Sequence, residues 1–249
     1  MTINYHDALA KGEIAGAHPG GFFLTKQLFE GRDIGKHSKI LDAGCGMGQT
    51  SRYLAETFGC SVVSVDKHPQ MIKHFRTWLN QNQLSIEILE ANIEGPLPFP
   101  DSYFDLVISE SVITFTNIKK SLGELYRVLK TEGTFLCNEM TAEDHLVQEE
   151  ELELKEFYQI DQILTESDWI ETVKSVGFQN VQVLKARTIL EELFEYGEEM
   201  LHDNAGAVVY DDSIDTVLGE HSLLLAKYAE KIGHRVLEAK KGNSVPRGR

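Results

Sequence analysis

Apolar positions recur along this chain with two alternating periods. Short runs dense in valine, isoleucine and leucine predict strands at residues 38–42, 61–66, 85–90, 104–109 and 133–140. Apolar residues three and four apart predict helices at 50–58, 69–80 and 118–130, with one before the first strand at 21–31 and one after the fifth at 168–175. Strand and helix taking turns in this way predict an α/β fold with a doubly wound, mostly parallel sheet. Gly177-Phe178 closes a helix and opens a sixth strand over 181–186, and 233–239 reads as a last strand. More than 40 residues, 188–232, separate these two strands. They are mostly helical in pattern and acidic, with Leu190, Leu193, Phe194, Met200, Leu201, Val217 and Leu224 at helical spacing. They read as an insertion over one edge of the sheet, and residues 1–37 as a capping segment on a single domain, 1–249. Residues 240–249 have turn composition.

Composition narrows the class. A chain of 249 residues with 42% apolar content can bury one sizeable core. It holds no run of 18 apolar residues, so no membrane span is expected. No charged stretch followed by an apolar one opens it, which predicts a cytoplasmic protein without a signal peptide. Its three cysteines, Cys45, Cys60 and Cys137, are far apart and odd in number, as expected of reduced thiols. Neither a Cys-His spacing nor H-E-x-x-H suggests a metal site. The formal net charge of -15 argues against a nucleic-acid partner, which needs a basic face. The acid concentrates in 143–156 and 191–215, as on solvated helix faces.

The candidate chemistry begins at Ile40-Leu41-Asp42-Ala43-Gly44-Cys45-Gly46-Met47-Gly48-Gln49-Thr50-Ser51. A strand, a tight glycine turn and a helix start let a ligand lie against bare backbone. The spacing separates this turn from two nucleotide motifs. A dinucleotide fingerprint needs a third small residue where Gln49 stands, and the third glycine here falls one place early. The G-x-x-x-x-G-K-[ST] phosphate loop does not occur. A carboxylate at Asp42 would repel a pyrophosphate and attract an ammonium or a hydroxyl. Asp66 ends the second strand about 20 residues past the turn, where an acid can bond both hydroxyls of a ribose.

The D-x-G-x-G-x-G string resembles motif I of the class I S-adenosylmethionine-dependent methyltransferases. The segment from Leu89 to Val107 resembles another string of that family, x-A-D-x-x-x-L-P-F-x-D-x-x-F-D-x-V, with Asn92 in place of the acid. The resemblance covers 38–140 closely and 166–187 loosely, and it places the last strand antiparallel between the fifth and sixth of a seven-stranded sheet. It implies S-adenosylmethionine as cofactor. Gly44, Cys45, Gly46 and Gly48 would hold its methionine part, with Asp42 toward the amino group. Asp66 would take the ribose, and Lys67 the rim of the adenosine pocket. The side chain of Asn92 would accept the adenine amine, as an amide oxygen can, and the Ile93 N–H would face a ring nitrogen. Glu110 and Ser111, past the fourth strand, would floor the site. In many small-molecule members an N-terminal segment folds over the cofactor, which puts Gly20, Gly21 and Thr25 near its methionine end. His18 or Tyr5 is a candidate proton acceptor, and no residue is assigned to the chemical step itself. The overall look is that of the small-molecule branch, which includes quinone (ubiquinone/menaquinone) and sterol C-methyltransferases. The Asn/Asp, two prolines and aromatic of members that methylate base or glutamine amines are absent after the fourth strand. The expected reaction is methyl transfer to a small-molecule acceptor. A non-catalytic module that only binds the cofactor would share every cofactor residue, and a nicotinamide oxidoreductase would share Asp66.

Overall fold

The computed structural model describes residues 3–82, 84–195 and 211–242. Seven strands form one sheet in the order β3-β2-β1-β4-β5-β7-β6. They are β1 (Lys39–Ala43), β2 (Ser61–Asp66), β3 (Ile86–Glu90), β4 (Phe104–Glu110), β5 (Leu129–Ala142), β6 (Phe178–Thr188) and β7 (Ile232–Lys241). The first five pair in parallel, and β7 runs antiparallel to both β5 and β6. The helices are α1 (Tyr5–Lys11), α2 (Gly21–Phe29), α3 (Gln49–Phe58), α4 (Pro69–Gln81), α5 (Ile118–Val128), α6 (Gln148–Tyr158), α7 (Glu166–Val176) and α8 (Asp212–Lys227). A short 3-10 turn, Ile113–Phe115, follows β4, and residues 189–195 are helical.

The central strands are predominantly apolar because both faces are covered. Leu41, Ala43, Val63, Val65 and Val107 point to one face and pack against Leu122 and Leu125 of α5 and Trp169 and Val173 of α7. Ile40, Val62, Leu106 and Ile108 alternate to the other face, against Leu24 and Phe29 of α2, Leu54 of α3 and Phe75 of α4. Trp169 is fully buried and its indole N–H donates to the Met140 carbonyl at 3.0 Å, so its one polar atom is satisfied. The chain between β3 and β4 is fixed by Arg127. Its guanidinium donates to the carbonyls of Leu97 (3.1 Å) and Phe99 (2.8 Å) and to Asp101 and Glu124.

A third cluster lies outside the sheet sandwich. Tyr5, Ala8 and Leu9 of α1 pack with Leu154 and Tyr158 of α6 and with Ile214, Val217 and Leu224 of α8. The N-terminal segment and the segment between β6 and β7 are therefore parts of one layer. Helix α1 has no counterpart in the sequence reading, since its seven residues carry too short a periodic signal. Residues 240 and 241 extend β7 where turn composition was expected. Met200 and Leu201 of the insertion, and residues 243–249, lie outside the described residues.

Candidate functional site

Strand order reverses between β1 and β4, and a cleft opens at the carboxyl ends of these strands, where open α/β sheets bind ligands. It spans about 1110 Å³, open solvent at its mouth included. Its floor is the glycine turn. Gly44 N–H and Cys45 N–H both donate to the Val65 carbonyl, at 2.7 and 2.9 Å, which ties the turn to β2. Gly44, Gly46 and Gly48 all have positive φ, the region glycine enters without steric cost. A Cβ at Gly44 would lie 2.2 Å from Val112, and one at Gly48 2.2 Å from Phe75. At Gly46 it would meet nothing within 4 Å, so this residue leaves open space toward the cleft.

Asp66 sits at the end of β2 with both carboxylate oxygens held. Oδ2 accepts from Gly46 N–H at 2.9 Å and Oδ1 from His68 N–H at 2.8 Å. Each oxygen keeps a second lone pair toward the cleft. Burial raises the Asp66 pKa, with the two backbone N–H groups opposing that rise. Asp42 is deeper. It accepts from Ser51 Oγ at 2.5 Å, and Ser64 lies 2.6 Å beyond Ser51. Burial pushes its carboxyl up to about 7, and the nearby Glu110 and Asp66 add to this. Glu110 ends β4 and takes the Thr25 hydroxyl at 2.7 Å and the Thr50 hydroxyl at 2.6 Å. His18 Nε2 stands 3.9 Å from the same carboxylate. Ser111 follows with φ 58°, its N–H donating to the Asn138 carbonyl at 2.7 Å.

The structure brings ten of the expected residues to this one cleft: Asp42, Gly44, Cys45, Gly46, Asp66, Lys67, Asn92, Ile93, Glu110 and Ser111. Asn92 Oδ1 also accepts from Glu94 N–H at 2.9 Å, which orients its amide. Gly48 lies behind the wall, closed off by Phe75. Gly20, Gly21 and Thr25 stand beside the cleft. The wall there is formed by Ile14, Ala15, Gly16, Ala17 and His18, and the buried Thr25 hydroxyl is taken up by Glu110. His6, Leu9 and Phe115 complete the roof. Tyr5 instead joins an aromatic cluster with Phe157, Tyr158 and His221, and burial pushes its phenol up to about 12.

Two supporting residues escaped the sequence reading. Glu139 is fully buried in β5 and accepts from the N–H groups of Ile113 and Thr114, both at 3.0 Å, and from the Thr114 hydroxyl at 2.8 Å. It thus fixes the turn that carries Val112 and Phe115 into the cleft wall. Burial pushes its carboxyl up to about 7 against these bonds. Asn138, paired with Glu110 across the sheet, donates from Nδ2 to the Pro19 carbonyl at 2.8 Å. The available signal was the polar pair Asn138-Glu139 directly after the apolar run Phe135-Leu136-Cys137.

Comparison with known proteins shows the family. A family profile described as "Methyltransferase domain" matches residues 41–137. The chain is 32% identical over 239 residues to the uncharacterized methyltransferase YodH of Bacillus subtilis (strain 168), covering 95% of this chain and 99% of that one. It is 25% identical over 190 residues to the phosphoethanolamine N-methyltransferase of Plasmodium falciparum (isolate 3D7), covering 74% of this chain and 70% of that one. Among solved structures, phosphoethanolamine N-methyltransferase 2 of Haemonchus contortus, in complex with S-adenosyl-L-methionine, superposes with a TM-score of 0.78 at 20% identity. That match covers 96% of this chain and 57% of the longer one.

Proposed function

The chain belongs to the class I S-adenosylmethionine-dependent methyltransferases, and we propose that it transfers the cofactor's methyl group to a small-molecule acceptor within this cleft. The observation that carries the reading is the pairing of Asp66 with the Gly46 N–H beside an open face of the glycine turn. Asp66 would receive the ribose hydroxyls, and Asn92 and Ile93 the adenine. The methionine part would lie along Gly44–Gly46, with its ammonium toward Asp42. The deep carboxylates Asp42, Asp66 and Glu110 give the floor an acidic character that suits a sulfonium cation.

Methyl transfer by in-line displacement asks the protein mainly for orientation and exclusion of water. Strap residues 14–18 and Phe115 would supply both. His18 is the wall residue we place as proton acceptor for an acceptor that must lose a proton. Its Nδ1 lies 3.3 Å from the Pro19 carbonyl, which favours a proton on that nitrogen and leaves Nε2 with its lone pair. Glu110 lies 3.9 Å from this nitrogen.

The acceptor class is narrowed by charge. Among the described residues lining the cleft, Lys67 is the one lysine or arginine, against three carboxylates. A neutral or cationic acceptor fits this wall better than a phosphorylated one. Nothing in the wall is particular to a quinone ring, so the proposal stops at the small-molecule class. Calorimetry tests the cofactor part: S-adenosylhomocysteine is expected to bind in the micromolar range, with no comparable heat from NAD or ATP. A methyl-donor screen then separates an enzyme from a module that only binds. Turnover confined to phosphorylated acceptors would overturn the charge argument, and tighter binding of NAD would overturn the cofactor site.

A further inference from the structure

A network of buried polar groups lies beside the cleft. His234 of β7 is fully buried, and Glu192 of helical residues 189–195 is 5% exposed. Asn138 Nδ2 donates to the Pro19 carbonyl, which can only accept, so Asn138 Oδ1 faces His234 Nδ1 at 2.7 Å. That nitrogen must therefore donate, and a neutral His234 presents a lone pair at Nε2. Nε2 faces Glu192 Oε1 at 3.6 Å, and neither buried atom has another hydrogen-bond partner among the described residues. The network therefore runs from Pro19, which follows the strap, through β5 and β7 to the insertion.

Two acceptors facing each other in a dry site are unfavourable unless one carries a proton. We propose that Glu192 and His234 share a single proton and act as positioning residues, holding the strap and the 189–195 segment together over the methionine end of the cofactor site. The proposal rests on the cofactor lying in the described cleft. The proton resides on Glu192. Burial pushes that carboxyl up to about 7, with Lys185 and the Gly20 N–H opposing the rise and Glu195 adding to it. Burial lowers His234 to about 3, helped by Lys185 and Arg187 of β6, Arg235 of β7 and His18 of the strap. Because the closed form holds a proton that an opened Glu192 would release, the network is complete at acid pH. It weakens as pH rises toward about 7.

The test is the affinity of S-adenosylhomocysteine from about pH 5.5 to 8 for the wild type and Glu192→Gln. The amide introduced by Glu192→Gln can donate to His234 Nε2 at every pH. The affinity of the wild type relative to Glu192→Gln is expected to fall by about tenfold across this range, equivalent to one pKa unit of coupling. Asp42 also titrates there, but it is common to both proteins and cancels in the ratio. Superimposable pH profiles would overturn the proposal, whereas loss of cofactor binding at all pH values in the wild type would instead overturn the cofactor site. Nitrogen-15 NMR of histidine in the wild-type protein gives a check that needs no variant. His234 is expected as the neutral Nδ1–H tautomer at about pH 5, and an imidazolium or an Nε2–H tautomer there would sink the idea.

Discussion

Asp66 joins the two halves of the site at the scale of single residues. It braces the glycine turn through Gly46 and still offers lone pairs to the cleft. Replacing it by alanine removes charged hydrogen bonds worth about 1.5–3 kcal/mol, so affinity for S-adenosylhomocysteine should fall by roughly one to two decades. An unchanged dissociation constant, with circular dichroism intact, would leave Asp66 as a brace for the turn and for His68 only. Asp42 makes a second prediction. With its carboxyl pushed up to about 7 by burial, it is about half protonated at neutral pH. An ammonium placed beside it favours the ionised form, so binding near pH 7 should expel a proton. Calorimetry in two buffers of different ionisation enthalpy measures this, and Asp42→Asn should release about half a proton fewer than the wild type. Equal proton release would place the ammonium elsewhere.

Elements explain what was legible in the sequence and what was not. The parallel strands announce themselves because burial on both faces demands unbroken apolar runs, as in Val62-Val63 and Leu106-Val107-Ile108. The glycine turn is legible because three alternate glycines with positive φ have few other uses. Edge strand β6 is longer than its sequence signal, since its alternating, half-exposed pattern fades into turn composition at both ends. The strap lies a few residues earlier than expected: Gly20 and Gly21 begin α2, while the wall is built by residues 14–18, whose mixed small and apolar sequence carries no period. What Glu139 does was illegible because its partners, the N–H groups of Ile113 and Thr114, lie 25 or 26 positions away in the chain. The turn itself yields a paired prediction. Gly48→Ala forces a methyl into Phe75 at an αL position, so it should lose several kcal/mol, combining about 1–2 for the backbone and 1–3 for overpacking. Gly46→Ala incurs only the backbone part, yet its methyl enters the ligand's space. Chemical denaturation should rank Gly48→Ala well below Gly46→Ala, while calorimetry shows Gly46→Ala, still folded, losing cofactor affinity. Full cofactor affinity in Gly46→Ala would move the methionine part away from this turn.

The whole molecule adds a layer that neither sheet face requires. Helix α1 has seven residues, too few to hold a helix alone in water. Its order comes from packing Tyr5, Ala8 and Leu9 against α6 and α8, so the N-terminal segment depends on the insertion for its position. The same helix turns His6 and Leu9 toward the cleft. A ligand that fills the cleft would contact α1 directly and steady α8 through it. We hypothesise that α1, the 14–18 wall and α8 act as one lid whose closure follows cofactor binding, since such coupling needs a contiguous packed element biased by the ligand. Hydrogen exchange with and without S-adenosylhomocysteine measures it. Slower exchange is expected in α1 and α8 together with the glycine turn, and Leu9→Ala should reduce the protection of α8 more than that of α3. Protection limited to 42–92 would make the layer a fixed part of the fold, with the acceptor entering by another face.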